Sequence, residues 1–268
     1  MPTRNEAWPD GTPCWVDCQV DDPAKAAEFY TALFGWKIDS AGEDAGGYLI
    51  GTLNDHSVAG IGPKPQQSAG MPSAWTTYFA TSNADAAAQR VTEAGGQILM
   101  APFDVFDSGR MAIGADAVGA VYGLWQAKAH LGFTIFNEAG TAAWNELHTK
   151  SYDAAQTFYS AVFGWTFNEV GGDQMQYSVF STPGAEQSVG GIFNDPQLAA
   201  DHPSYWLVWF AVGDCDEAVT KATGLGSSAL MPPTDSPFGR MSVVRAPQGE
   251  VFGLIDMTTT VGEPPSGG

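Results

Sequence analysis

The sequence predicts an α+β protein that consists of four βαβββ modules in two domains. Two observations predict this class. The second half of the chain repeats the first half, which indicates an internal duplication. Within each half, a strand, a helix and further strands occur twice in the same order, as hydrophobic periodicity and the turn and capping residues indicate.

The duplication is visible in long stretches that align without a gap. Residues 12–38, TPCWVDCQVDDPAKAAEFYTALFGWKI, align with residues 141–167, TAAWNELHTKSYDAAQTFYSAVFGWTF. Trp15 then falls on Trp144, at an offset of 129 residues, and a later Gly-Arg-Met motif recurs at an offset of 130. Because the offset is constant to one residue over this length, the similarity indicates duplication rather than chance.

The first half contains two successive modules. The helix of the first module begins with Asp22 as N-cap and has Pro23 in its first turn. The helix of the second module ends on Gly95-Gly96. Apolar and aromatic runs between turn residues indicate the strands. Strands are expected near residues 15–20, 46–54, 57–62, 75–81, 97–102, 110–115 and 120–126, and helices at 22–35 and 83–96.

The second half repeats this order and sets the domain boundaries. We predict the first domain at 10–127, a linker at 128–139 and the second domain at 140–258. Residues 259–268 are predicted to be a disordered tail because they are polar and rich in Gly and Pro. The second module of this half is expected to have strands near 205–212, 228–233, 240–246 and 250–256 and a helix at 214–226.

Composition and charge limit the classes of partner. The chain has 268 residues, of which 44% are apolar, so it can bury a sizeable core. A formal net charge of −19 repels phosphate backbones and anionic lipids, so neither nucleic acid nor a membrane is expected as a partner. The N-terminus has no signal pattern and no apolar run could span a bilayer, which favours a cytoplasmic protein. The cysteines are expected to be buried free thiols: Cys14, Cys18 and Cys215.

Paired βαβββ modules with the helix motif D-x-x-x-A-x-x-FY-x-x-x-FGW resemble the glyoxalase/bleomycin-resistance/extradiol-dioxygenase superfamily, also called vicinal oxygen chelate proteins. The motifs GTPxWVD, GRM and GLWQ are similar to a two-domain actinobacterial subgroup, which includes a mycobacterial antigen and proteins of antibiotic gene clusters labelled as hydroxylases. The resemblance implies that each pair of modules forms a curved eight-stranded sheet shaped like a cup.

The resemblance also implies where a metal would be held. Metal-dependent members carry a His or Gln on the first strand, a His at the start of the second module and a Glu on the last strand. Divalent metals need several carboxylate, imidazole or thiolate donors at one point. The matching positions here do not supply them, so no metal and no other cofactor is expected. These positions are Trp15, about Thr76 and Gly123 in the first domain, and Trp144, about Leu207 and Gly253 in the second.

The first strand of each domain carries a polar pattern on one face, because side chains two residues apart on a strand share a face. An indole at the former metal position offers a stacking surface to a flat or cationic molecule. A carboxylate beside apolar walls is expected to have a raised pKa unless it is paired. The same carboxylates could instead bond to the backbone or tie the two domains together. The residues are Trp15, Asp17 and Gln19 in the first cup and Trp144, Glu146 and His148 in the second.

Other aromatic residues are expected to complete the cups as ligand-binding walls, with plain core burial as the alternative for each. They are Tyr48, Trp75 or Tyr78, and Trp125 in the first domain, and Tyr177, Trp206 or Trp209, and Phe252 in the second. The other three histidines, in loops or in the linker, are expected at the surface: His56, His130 and His202.

These features predict a metal-independent protein that binds a small aromatic or polycyclic molecule, and the resemblance suggests a natural product of antibiotic biosynthesis or resistance. One alternative is a cofactor-free isomerase, cyclase or hydroxylase-like enzyme that uses Glu146 with His148, and Asp17 in the first cup, as acid or base. Another is a metal-dependent dioxygenase or lyase with unusual ligands, such as Glu146 and His148 with a third donor. Each cup can close within one chain, so a monomer and a homodimer both remain open.

Overall fold

The computed structural model describes residues 3–66, 70–171, 175–199 and 201–261 of the chain. This described part forms two open eight-stranded sheets and four α-helices. The strands that precede residue 128 form the first sheet, and those that follow residue 141 form the second. The predicted α+β class with four βαβββ modules in two cup-shaped sheets is confirmed.

The first sheet joins two modules side by side. Its elements are β1 Pro13–Val20, α1 Pro23–Phe34, β2 Lys37–Ser40, β3 Leu49–Leu53, β4 His56–Pro63, β5 Ala74–Ala80, α2 Ala84–Glu93, β6 Gln97–Val105, β7 Gly109–Ala115 and β8 Val121–Ala127. The strands lie in the order β2-β3-β4-β1-β5-β8-β7-β6. The two modules therefore meet at the centre of the sheet, where β1 pairs antiparallel with β5.

The second sheet repeats the first. Its elements are β9 Ala142–Thr149, α3 Tyr152–Phe163, β10 Thr166–Glu169, β11 Tyr177–Ser181, β12 Gly190–Asn194, β13 Tyr205–Ala211, α4 Cys215–Gly224, β14 Ser228–Ser236, β15 Gly239–Arg245 and β16 Val251–Asp256. The order β10-β11-β12-β9-β13-β16-β15-β14 is that of the first sheet, strand for strand. Both halves of the duplicated sequence therefore adopt the same topology.

The short edge strand β2 had no expected segment of its own. Its residues, KIDS, are mostly polar and exposed, so they give no apolar run that a sequence pattern could detect. The next strand, expected at 46–54, begins only at Leu49. Gly46 and Gly47 precede it with φ values of +62° and +87°, which place them in the turn rather than in a strand.

The helices begin and end at capping residues. The side chain of Asp22 accepts a hydrogen bond from the backbone N–H of Lys25, and Pro23 opens α1. α1 ends at Gly35, whose φ of +76° is the left-handed conformation that glycine adopts without steric cost. No helix of the described residues is long and apolar enough to cross a membrane.

Each sheet has two faces with different roles. In β1, alternate residues place Trp15, Asp17 and Gln19 on one face, which we call the cup face. Cys14 and Cys18 lie on the opposite face, which the helices cover and which we call the helix face. All three cysteines of the chain are buried and free, as expected.

The two domains pack with their helix faces together. Tyr30 of α1 contacts Trp75 of the first sheet and Phe252 of the second, with ring centroids 5.3 and 5.8 Å apart. Tyr159 of α3 contacts rings of both sheets in the same way. Because α1 and α3 lie between the sheets, the two cup faces point away from the interface and from each other.

Two duplicated hydrogen-bond relays cross this interface. Nε1 of Trp75 donates to the hydroxyl of Tyr30 at 3.1 Å, and this hydroxyl donates to Oε1 of Glu250 in the other domain at 3.0 Å. Buried polar groups need such partners, because an unpaired one costs free energy. The second relay has distances of 2.8 and 2.9 Å and consists of Trp206, Tyr159 and Asp116.

The segment predicted as a linker, residues 128–139, lies against the first domain. The backbone N–H of Phe133 donates to the carbonyl of Cys14 in β1 at 2.7 Å. Ile135, which is fully buried, forms an isolated bridge with Thr3 near the N-terminus. Its side chains therefore belong partly to the core of the first domain.

The tail predicted to be disordered, residues 259–268, is described only as far as Val261. The backbone N–H of Val261 donates to the carbonyl of Ser236 at 3.1 Å. Residues 262–268 lie outside the described residues.

Candidate functional site

Three neighbouring strands meet at the centre of the first cup, and each contributes one residue to the cup face. Trp15 of β1 pairs with Tyr78 of β5, and Tyr78 pairs with Gly123 of β8. A Cβ atom on Gly123 would lie 2.0 Å from the Tyr78 ring, so the ring occupies the space of the missing side chain. We expected Thr76 at the second position, but Thr76 pairs with Asp17 instead.

The second cup has the same arrangement with an indole in place of the phenol. Trp144 of β9 pairs with Trp209 of β13, which pairs with Gly253 of β16. A Cβ atom on Gly253 would lie 2.1 Å from the Trp209 ring. The expected residue, Leu207, pairs with Glu146 two positions away. In both cups an aromatic ring therefore fills the space above a glycine.

Asp17 lies at the floor of the first cup and is held by two tyrosines. Its Oδ2 accepts hydrogen bonds from the hydroxyls of Tyr78 at 2.8 Å and Tyr48 at 3.3 Å. The Tyr48 hydroxyl in turn accepts from Nε1 of Trp15 at 3.1 Å. Oδ1 of Asp17 is buried and has no hydrogen-bond partner among the described residues. Burial raises the pKa of Asp17 to about 7, although both tyrosine hydroxyls act against this shift.

The second cup repeats the tryptophan–tyrosine–carboxylate order. Nε1 of Trp144 donates to the hydroxyl of Tyr177 at 2.9 Å. Burial, and then the neighbouring carboxylate of Glu146, raise the pKa of Tyr177 well above its usual value. A Cβ atom on Gly191 would lie 2.1 Å from the Tyr177 hydroxyl, so a glycine again makes room for the ring.

His148 lies between two carboxylates in the second cup. Its Nδ1 is 3.0 Å from Oδ2 of Asp195, a well-formed hydrogen bond. Its Nε2 is 2.9 Å from Oε1 of Glu146, but the ring N–H does not point at this oxygen, so we treat the contact as an ion pair. Burial alone would lower the pKa of His148, but the two carboxylates outweigh it and raise this pKa to about 9. His148 is therefore protonated at neutral pH.

The sequence did not point to Asp195 as a member of this group. Asp195 directly follows β12, in which Phe193 pairs with His148 of the neighbouring strand. Its backbone N–H donates to the carbonyl of Thr149, which fixes the aspartate beside the imidazole. Only the parallel pairing of β12 with β9 brings the two together, and no local motif encodes that pairing. Tyr205, also unexpected, stacks on the His148 ring at 4.9 Å.

His130 lies against the wall of the first cup, so its expected surface position is wrong. Its ring is 4.4 Å from that of Trp15 and 5.6 Å from that of Trp125, edge-on to both. Its carbonyl accepts a hydrogen bond from Nε1 of Trp125 at 2.9 Å. Burial lowers the pKa of His130 to about 4, so the ring is neutral at pH 7 and adds no cation to the cup.

The structure places most of the predicted site residues on the cup faces, while their role in binding or catalysis stays a prediction. The residues on the cup faces are Trp15, Asp17, Gln19, Tyr48, Tyr78, Trp125, Trp144, Glu146, His148 and Tyr177. Of the alternatives that the sequence left open, Tyr78 and Trp209 are those that line the cups.

Three predicted wall residues lie on the helix face instead. Trp75 pairs with Cys18, and its indole donates to Tyr30 in the domain interface. Trp206 belongs to the second interface relay, and Phe252 contacts Tyr30 across the interface. A shift of one residue along a strand moves a side chain to the other face, and aromatic residues occupy both faces here. These three residues therefore hold the domains together.

Comparisons with known proteins agree with this architecture. Residues 14–124 match the model of the glyoxalase/bleomycin resistance protein/dioxygenase superfamily, and residues 141–183 match that of the bleomycin resistance protein-like N-terminal family. A putative glyoxylase, CFP32, of Mycobacterium tuberculosis (strain CDC 1551 / Oshkosh) is 42% identical over 261 residues, which cover 95% of this chain and 98% of the relative. The chain belongs to the glyoxalase/bleomycin resistance protein/dioxygenase superfamily. The anthracycline biosynthesis protein DnrV of Streptomyces peucetius is 35% identical, over 92% of this chain and 94% of the relative.

Solved structures of distant superfamily members share the fold. The Mn(II)-bound glyoxalase from Novosphingobium aromaticivorans superposes with a TM-score of 0.63 at 15% identity, over 94% of this chain and 87% of that protein. The 2,3-dioxygenase LapB from Pseudomonas sp. KL28 gives a TM-score of 0.63 at 14% identity, over 92% of each chain. At this level of identity, the comparison supports the fold and not the activity.

The side chains of this superfamily member do not fit a divalent metal at the centre of either cup. The paired central positions supply an indole, a phenol or second indole, and a glycine, none of which is a carboxylate, imidazole or thiolate donor. His148 does not bring its two carboxylates together, because they contact opposite nitrogens of its ring. Within residues 3–66, 70–171, 175–199 and 201–261, no three His, Cys, Asp or Glu side chains form a metal-binding group.

Proposed function

We propose that this superfamily member binds a small aromatic or polycyclic molecule in its cups without using a metal. The observation that carries this proposal is the pair of rings at the centre of each cup, where metal-binding relatives would need donor groups. An aromatic pair in a stacked or edge-on arrangement contributes about 0.5–1.5 kcal/mol beyond the area that it buries. Flat aromatic ligands therefore gain more from these walls than divalent metal ions do.

Two relatives support a natural product as the ligand. DnrV of Streptomyces peucetius and DauV of Streptomyces sp. (strain C5) are named as anthracycline biosynthesis proteins, and each aligns with 92% of this chain. We therefore place the ligand among natural products and the role in antibiotic biosynthesis or resistance.

Native mass spectrometry tests this proposal first, on protein purified from its own host without a chelator or a metal-affinity step. A metal-free chain that carries an organic adduct would support the proposal and identify the ligand class. About one equivalent of iron, zinc, nickel or manganese per chain would overturn it, because the central rings would then have to give way to an ion.

Two tryptophan variants test which cup binds. Trp15→Ala and Trp144→Ala each remove one indole wall and its Nε1 donor, so each should weaken binding of the adduct in its own cup by about tenfold or more. Because the cups face away from each other, each variant is the control for the other. Titration calorimetry with the adduct measures both, and unchanged affinity in both variants would contradict the proposal.

The second cup also favours a cofactor-free acid–base enzyme as a second candidate. The supporting observation is the chain of contacts from Asp195 to His148 to Glu146, in which one proton donor lies between two carboxylates. A ligand group that approaches Glu146 could exchange a proton with it while His148 compensates the charge. Glu146→Gln should then abolish turnover of the identified ligand and leave its binding intact, whereas turnover unaffected by this change would rule out this candidate.

A further inference from the structure

The two cups differ in charge at one pair of duplicated positions. In β9, Glu146 is followed two residues later by His148, which is protonated and forms an ion pair with it. In β1, the corresponding residues are Asp17 and Gln19, and the amide of Gln19 carries no charge. At these duplicated positions the second cup therefore has a cation beside its carboxylate, and the first cup has an uncharged amide.

No basic side chain compensates Asp17 within the described part of the chain. The pKa of Asp17 is shifted by its burial and by the hydroxyls of Tyr78 and Tyr48, and not by any Lys, Arg or His. Burial lowers the pKa of His130, the linker histidine whose ring contacts Trp15, to about 4, so this ring is neutral at pH 8. Cys18 faces the other side of the sheet, and burial raises the pKa of its thiol, so it adds no charge. Asp17 is thus a buried acid without a counter-ion.

The free oxygen of this carboxylate points to a missing partner. Asp17 is 5% exposed, and within the part of the chain that the structure describes its Oδ1 has no hydrogen-bond partner, whereas both tyrosine hydroxyls donate to Oδ2. A buried acceptor that is left unpaired costs free energy, and the cost is larger for a charged group. A ligand that brings a donor to Oδ1 would remove this cost.

We infer that the first cup selects aromatic molecules that carry a protonated amine, which donates a hydrogen bond to Oδ1 of Asp17. The inference rests on the proposed function, since it specifies the ligand class of the same cup. A cation supplies both the donor and the missing counter-charge, and the faces of the surrounding aromatic rings attract it further. The walls that receive the aromatic part are Trp15, Tyr48, Tyr78 and Trp125.

The outer strands of the first sheet provide an apolar rim for such a ligand. Met100 and Phe103 of β6 pair with residues of β7 that share the cup face. Their side chains are 39% and 41% exposed. Exposed apolar side chains beside a buried polar anchor are a common arrangement of small-molecule sites. These side chains extend the apolar surface of the cup face beyond its centre.

A matched pair of probes tests this inference in the full-length protein. 2-Naphthylmethylamine and 2-naphthylmethanol have the same ring and differ in the charged group. Titration calorimetry at pH 8 should show the amine binding about tenfold or more tightly than the alcohol. Asp17→Asn should remove this preference while the alcohol still binds. The control Asp201→Asn removes one exposed carboxylate of the second domain and should keep the preference.

A second variant covers the case in which Asp17→Asn fails to fold. Gln19→Arg places a side chain that stays charged at pH 8 two residues from Asp17 on the same face of β1 and so gives Asp17 an internal cation. It should also reduce the preference for the amine. Equal affinity of both probes for the unchanged protein, or a preference that survives both variants, would overturn the inference but not the proposed function. Failure of both probes to bind, together with a native chain free of any organic adduct, would overturn both.

Discussion

Replacing Tyr30 with Phe should weaken the contact between the two domains and lower the stability of the whole chain. The change removes one hydroxyl that accepts from Nε1 of Trp75 and donates to Glu250. Both partners are buried, at 7% and 1% exposure, so water cannot replace the lost hydrogen bonds. Each buried polar group left unpaired costs about 1–3 kcal/mol. We therefore expect a loss of about 2–6 kcal/mol, or a decrease in Tm of about 5–20 °C.

The duplicated relay provides a matched control for this measurement. Tyr159→Phe removes the equivalent hydroxyl, but Oδ1 of Asp116 keeps hydrogen bonds from two backbone N–H groups, of Val118 and Ala120. Among the described residues, the second carboxylate oxygen of Glu250, Oε2, has no hydrogen-bond partner. Tyr30→Phe should therefore cost more than Tyr159→Phe.

Urea unfolding followed by tryptophan fluorescence gives both free energies. Burial raises the pKa of Glu250, so this carboxyl is protonated more readily than usual as the pH falls. The penalty of Tyr30→Phe should therefore be smaller at pH 5 than at pH 8, because a neutral unpaired carboxyl costs less than a charged one. A loss below about 0.5 kcal/mol at pH 8, or a larger loss for Tyr159→Phe, would refute the reasoning.

Three further predictions concern the cups. His148 has a pKa of about 9 in the folded protein and the ordinary value of 6.5 in the unfolded chain. Below pH 6.5 it should therefore add up to about 3 kcal/mol to the free energy of unfolding, and this contribution should be lost as the pH rises to 9. The urea midpoints of the protein and of His148→Gln, measured across this pH range, check the loss. Asp195→Asn should lower the pKa of His148, and a proton NMR titration that shows no decrease would contradict the hydrogen-bond assignment. Gly123→Ala should displace the Tyr78 ring and cost about 1–3 kcal/mol, measured as a lower Tm; an unchanged Tm would show that the ring moves freely.

The fold could be predicted because duplication and strand periodicity are properties of the sequence itself. The alternation of Trp15, Asp17 and Gln19 needs only one strand, and the structure places all three on the cup face. The sequence could not tell which of Trp75 and Tyr78 faces the cup, because β5 is buried on both faces and carries aromatic residues on each. Only the register with β1 decides which face each one takes.

Site contacts between residues far apart in the sequence could not be predicted from local sequence patterns. Asp195 meets His148 because two strands 47 residues apart lie side by side, and His130 reaches Trp15 because the linker turns back over the sheet. In both cases the partner residues are unremarkable in their own neighbourhoods. Asp195 is a polar residue directly after β12, the strand beside β9, but this position is informative only once the strand order is known.

Because the domains pack through their helix faces, alternate residues of a single strand have different structural roles. In β13, Trp206 and Phe210 lie in the interface, whereas Tyr205, Leu207 and Trp209 face the second cup. Substitutions at the second set change the surface of the second cup without removing contacts between the two domains. Because the first cup faces the opposite side of the molecule, such substitutions also leave the surface of the first cup unchanged.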